Sequence, residues 1–410
     1  MNISPDFSPS IKLMKPYFLL SGFFYLLSMI SLFFIDPKSS LTDFNIVGWV
    51  HLYMIGFVML AIFSAMAQLG PVVVETKHYN ENIFRYLFIF ITVGLVLMLF
   101  GFYRDVEFLL YGGVLLFIAM SIYAVEFLLT LKNMRRKTSI TKAMKMSNFF
   151  LLFGIISGIV MALGFNGMIE SNPEIFLNIH TYSLVVGFVV LLIMGISIIL
   201  IPMFGYSKRI SDNNFSHSFI TLSVGVGVMI LSGFIFGEIL ETIAYLLSMV
   251  AIVLYFYQLK NMFISRKRVV HDIWAKSIYI GFSSFIISFL LFVFYFFNGN
   301  ELLLKLSMWL LLVGFFGFLI IGNFYKIIPF LVWFQIYSPL IEEQVVPMLH
   351  ELVEERLASL QWFYSSLGLA LSSLGILLDL TQLFYGGVMF LSVGAILFLV
   401  FIYRVLDVKE

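Results

Sequence analysis

The chain contains no cysteine in 410 residues, and charged side chains make up only 11% of it. The missing thiols exclude disulfides, cysteine-ligated zinc, iron–sulfur clusters and haem attached through a CxxCH motif. A metal or haem would have to rely on His, Met, Tyr, carboxylates or main-chain oxygens. Histidine is also scarce, with six in the chain, and prolines number ten. The net charge of +1 carries no nucleic-acid signature, and no nucleic-acid partner is expected.

Apolar residues are what the chain has in excess, at 61% hydrophobic with 48 Phe. A soluble domain cannot hide that much apolar surface, whereas a lipid-facing exterior accommodates it. Runs of roughly twenty apolar residues, the length of a bilayer crossing, fall near 16–35, 48–70, 84–103, 106–131, 148–168, 178–202, 215–236, 240–258, 273–297, 304–332, 360–379 and 383–404. Backbone groups in lipid must be satisfied within their own segment, so the runs read as helices. The expected fold class is an all-α integral membrane protein with 12 transmembrane helices. The leading "MNISPDFSPSIKLMKPY" is not followed by a small-residue cleavage site, so the first run reads as a retained helix.

Charge orients these helices. With the N-terminus inside, Lys38, Arg104 and Lys305 are the outer cations, and the other 21 of the 24 Lys and Arg lie inside. The clusters "KNMRRKTSITKAMK" at 132–145 and "KNMFISRKR" at 260–268 dominate the bias. Both termini are expected to be cytoplasmic, in a bacterial-type inner membrane.

An internal repeat is visible in "IGFVMLAIFSAMAQLGP", "VGFVVLLIMGISIILIP" and "VGFFGFLIIGNFYKIIP". Each has a Gly-Phe pair (Gly56, Gly187, Gly314), a small residue eight positions after the glycine (Ser64, Gly195, Gly322), and a closing proline at fifteen (Pro71, Pro202, Pro329). Each copy lies on the second helix of a group of four. This predicts three parallel four-helix repeats, 1–138, 139–268 and 269–410, the last carrying a cytoplasmic amphipathic helix near 341–358. Because four is even, the copies share one direction, unlike inverted-repeat transporters.

The twelve-helix plan, with "HLYMIGF…LGPVV" on helix two and "HTYSLVVGF…IPMF" on helix six, resembles subunit I of the haem–copper oxidase superfamily. The nearest resemblance is to its divergent subunit-I-like and NnrS-type members. "YKIIPFLVWFQIYSPLIEEQVVPMLHELVEERLA" is also similar to the segment after helix ten in uncharacterised members. The resemblance implies haem ligands on helices two and ten and copper ligands on helices six and seven. His51 matches the helix-two position and His180 approximately the helix-six one. Helix ten has no histidine, helix seven has only His217 at its cytoplasmic end, and His78, His271 and His350 fall in cytoplasmic segments. Reduction of oxygen or nitric oxide at a haem–copper centre is therefore not expected.

His51 and His180, both outward, are the candidate ligands for haem b, copper or another metal, with Met308 a possible soft ligand at the entry to helix ten. The bland reading makes each histidine an interfacial side chain bonded to a carbonyl. Intramembrane polar residues form a second set. Glu126 is either a proton-relay carboxylate or a neutral or Lys-paired acid. Lys326 either snorkels or joins Gln68 and Asn323 in a polar plug. "SPLIEEQVVPMLHELVEERLA" reads as an acidic amphipathic helix that docks on basic loops or a protein partner; HELVEE lacks the second histidine of a zinc-protease HExxH. Two functions are open: a haem- or metal-binding, non-oxidase protein in respiration or nitrosative stress, and a cofactor-free transporter, channel or accessory subunit.

Overall fold

The computed structural model describes residues 7, 9–134, 137–170, 172–207, 213–235, 237–267 and 271–407. Arg135, Arg136 and Arg268 of the basic clusters lie outside them. Among the described residues the chain is helical with no β-strand, and twelve helices are long and apolar enough to cross a membrane. They are α1 (Ile11–Phe34), α2 (Phe44–Val74), α3 (Glu81–Tyr103), α4 (Glu107–Lys132), α5 (Ser139–Phe165) and α6 (Pro173–Gly205). The second half holds α7 (Asn213–Ser232), α8 (Gly237–Ile264), α9 (Ile273–Asn298), α10 (Glu301–Leu340), α11 (Glu355–Leu377) and α12 (Thr381–Leu406). This is a multi-pass membrane protein.

The exposed faces have the chemistry of lipid contact. On α8, Ile239, Ile243, Leu246, Val250 and Val253 are exposed at helical spacing, while Ala244, Ser248, Ala251 and Tyr255 are buried. Apolar outside and small or polar inside is how a helix sits in hydrocarbon, where small residues let backbones approach.

Two compact units divide the chain. One is built on residues 69–270; the other combines 9–68 with 271–410, and α2 passes from one to the other between Gln68 and Leu69. In the first unit α3 pairs with α4, α4 and α6 pack on α5, and α7 pairs with α8. In the second, α1 packs on α2 and α12, α9 on α10, and α11 on α12.

Three helices, α2, α6 and α10, are distinctive. The apolar windows of α2, α6 and α10 are 78%, 67% and 78% buried, against 22–50% for the other nine. Each widens into π-helical turns around Gly56, Gly187 or Gly314, at Leu52–Met59, Tyr182–Val190 and Leu310–Gly317. Such wide turns are rare, and these three lie at matching positions. A Cβ at Gly187 would stand 2.9 Å from Phe150 of α5, and one at Gly314 would stand 2.6 Å from Ser284 of α9. In both, the glycine lets α6 or α10 close onto the helix before it.

Two sequence expectations are corrected here. The prolines do not close their helices: α2 and α6 run three residues past Pro71 and Pro202, and α10 continues to Leu340. A proline lacks one amide donor, so near a helix end it removes a single bond and the remaining turns persist; in α10 wide and 3₁₀ turns follow Pro329. The amphipathic helix at 341–358 does not form. Residues 341–348 are turn and extended chain, Leu349–Leu352 is a single 3₁₀ turn, and α11 starts at Glu355. Pro347 lacks an amide hydrogen and disfavours helix at Val346, and Val345 stands fully exposed.

Gly187→Ala is expected to destabilise the protein by about 1–3 kcal/mol through overpacking. Gly227→Ala, where nothing lies within 4 Å of the added Cβ, serves as the near-neutral control in detergent thermal unfolding.

Candidate functional site

His51 sits two turns into α2, whose first turn is capped by the Asp43 carboxylate accepting from the Asn45 amide at 2.8 Å. Its ring lies with Nδ1 2.8 Å from the Val47 carbonyl one turn earlier. A carbonyl only accepts, so Nδ1 carries the hydrogen and the lone pair of the neutral ring is on Nε2. Metal-binding histidines are commonly oriented through such an outer bond. The side chain is half-buried.

The residues two before and two after His51 point the other way, since two residues turn an α-helix by roughly 200°. Trp49 stacks on Trp309 of α10 with centroids 5.9 Å apart, and its Nε1 donates to the Ser28 carbonyl of α1 at 3.0 Å. The Tyr53 hydroxyl donates to the Leu312 carbonyl of α10 at 2.9 Å. Phe384 of α12 closes on Trp309 at 5.5 Å. Aromatic rings therefore fill the seam between α2 and α10. Met308 is half-buried beside Trp309.

His180 lies in α6, which opens with Asn172 as cap and Pro173 in its first turn. Its Nδ1 donates to the Gly154 carbonyl of α5 at 2.8 Å. Gly158 provides the room: a Cβ there would stand 2.8 Å from the imidazole Cε1. Again the outer nitrogen is tied to a carbonyl and the lone pair falls on Nε2.

His51 and Met308 belong to one compact unit and His180 to the other. Among the described residues no three His, Asp or Glu side chains gather where they could hold a metal ion. The donor chemistry of each histidine suits an iron or copper atom taken singly. A haem shared between α2 and α10 does not fit, because Trp49, Tyr53, Trp309 and Phe384 occupy that space.

The polar residues each find separate partners. Gln68 Nε2 donates to the Pro9 carbonyl at 3.0 Å, as does Gln335 Nε2 at 3.1 Å, so both hold the chain entering α1. Asn323 accepts from Trp274 Nε1 at 3.2 Å. Lys326 pairs at 2.5 Å with Asp272, the N-cap of α9, with both side chains about one-third exposed. Gln68, Asn323 and Lys326 are thus each bonded to a different neighbour.

Glu126 is paired, and with histidine rather than lysine. Its Oε1 lies 3.0 Å from His78 Nδ1, with the two side chains 3% and 2% exposed. His78 was not legible as a partner, since 48 residues separate the two and only the fold of the α2–α3 connection joins them. Known protein families and curated proteins offer no match to this chain.

Gly158→Ala is expected to push the His180 ring off the Gly154 carbonyl. Histidine ¹⁵N NMR should then show loss of the single Nδ1–H tautomer that the wild type holds.

Proposed function

We propose that this membrane protein is a non-catalytic member of the haem–copper oxidase subunit I plan. It holds haem b or a copper ion near the outer surface through His51, and separately through His180, in a respiratory or nitrosative-stress role. The observation that carries this reading is the shared orientation of the two imidazoles. Each ties Nδ1 to a main-chain carbonyl and places its lone pair on Nε2, the arrangement that prepares a histidine for a metal. The matching wide turns of α2, α6 and α10 support a threefold repeat of four helices, and the inward bias of positive charge supports cytoplasmic termini. Met308 has the weaker case, since its neighbour Trp309 is committed to the aromatic seam.

A second reading, a cofactor-free transporter, channel or accessory subunit on the same scaffold, is favoured by two observations. The seam between α2 and α10 is closed by aromatic rings, and α4 carries a buried acid that is paired with an imidazole of the α2–α3 connection.

Absorbance and elemental analysis of protein purified from haem- and copper-replete cells tests the choice. A Soret band or bound copper is expected in the wild type, with at least about tenfold loss of affinity in His51→Ala, or about 1.4 kcal/mol. Absence of both from the wild type would favour the second reading.

A further inference from the structure

The strap between α10 and α11, residues 341–354, takes no part in either reading of the function. Its apolar side chains are not gathered on a helix face, and they reach the surface instead. Val345 is fully exposed, Met348 is 63% exposed, and Ile341 and Leu349 are exposed beside them. Carboxylates surround these residues: Glu342, Glu343, Glu351, Glu354 and Glu355 fall within fourteen positions, and all are exposed. Among the described residues Glu354 meets Arg404 of α12, whereas Glu342, Glu343 and Glu351 pair with no Lys or Arg. The strap is nonetheless pinned. Trp333 Nε1 of α10 donates to the Pro347 carbonyl at 2.9 Å, and the Met348 amide donates to the Glu351 carboxylate at 2.7 Å. A surface already held in one shape loses little entropy when it is covered.

The same chain carries a surface of opposite charge at the end of α8. Tyr257, Lys260 and Ile264 are spaced by three and four residues, so they share one helix face. All three are exposed, Ile264 by 71%. Lys267 follows, also exposed, with its amide donating to the Tyr206 carbonyl at 3.0 Å. Among the described residues neither Lys260 nor Lys267 pairs with a carboxylate. Each crossing reverses the chain, so the strap after the tenth crossing and the end of the eighth leave the bilayer on one side. Both surfaces therefore carry exposed apolar side chains flanked by like charges, and the two signs are opposite. A lipid surface covers the strap poorly, because anionic headgroups attract basic segments and repel acidic ones.

We propose that the strap of one copy docks on the end of α8 of a second copy, and that two such contacts make a twofold homodimer. Each copy offers both surfaces, so a twofold pairing forms the contact twice and leaves neither surface open. Glu342 and Glu343 are the acids matched to Lys260 and Lys267, and Val345 is the apolar residue matched to Ile264. Removing Val345, Met348 and Ile264 from water drives the association. The charges contribute mainly register and choice of partner.

The absence of cysteine from the chain makes disulfide crosslinking a clean test. Full chains carrying Val345→Cys and Ile264→Cys, with different tags, are co-expressed and oxidised with diamide in the membranes of the expressing cells. A product bearing both tags is expected, and it can only join two copies. Val345→Cys with Leu246→Cys, on the exposed apolar face of α8, is the collision control and is expected to give at least about tenfold less. Glu342→Lys with Glu343→Lys on the first chain is expected to lower the two-tag product by about tenfold. Lys260→Glu with Lys267→Glu on the second chain is expected to restore it. A two-tag product no greater than the control, or one indifferent to charge reversal, would overturn the proposal. Should a charge-reversed chain not fold, native mass spectrometry of the wild type in lipid nanodiscs decides. The mass of two copies is expected there. A single copy, alone or joined to a different protein, would overturn the proposal too.

Discussion

In hydrocarbon there is no water to bond an amide or a carbonyl, so each main-chain group must find its partner inside the protein. Everything else here depends on that constraint. It makes every crossing a helix and leaves side chains, rather than backbone, to decide how helices meet. Without a hydrophobic drive between helices already in lipid, contact depends on close fit and on polar bonds. The glycines of α6 and α10 provide the fit, seating Phe150 and Ser284 where a methyl group would collide.

The same constraint governs the polar side chains. His51 and His180 return one ring nitrogen to a carbonyl, Gln68 and Gln335 secure the carbonyl of Pro9, and Lys326 meets the capping carboxylate of α9. Each arrangement ties a side chain to a neighbouring turn, helix or entry segment. At Glu126 one oxygen collects three of these bonds, from His78, Thr130 and Asn80.

Much of the architecture was legible along the chain. The twelve apolar runs agree with the twelve helices to within a few residues at most ends, since length and hydropathy are local properties. The glycines at 56, 187 and 314 marked the three most enclosed helices, because close packing demands a small residue and leaves a signature in sequence. The segment at 341–358 misled for a local reason: its apolar spacing is helical, but Pro347 interrupts the hydrogen-bond ladder that the spacing would require. His51 and His180 were legible as ligand candidates, while Trp49 and Tyr53 were not legible as the residues that close the α2–α10 seam. A ring's partner on a helix some 260 positions away leaves no periodic trace.

The sequence by itself determined that this is a helical membrane protein with twelve apolar runs and without thiol chemistry. Composition and periodicity are read one residue at a time, and the bilayer admits few solutions to them. Only the tertiary structure decided which polar groups meet. It joined His78 to Glu126 and Lys326 to Asp272, assigned Gln68 to Pro9, and filled the space beside Trp309 with rings. Such pairings are set by a few ångströms of approach between distant segments, and no local rule of sequence specifies them.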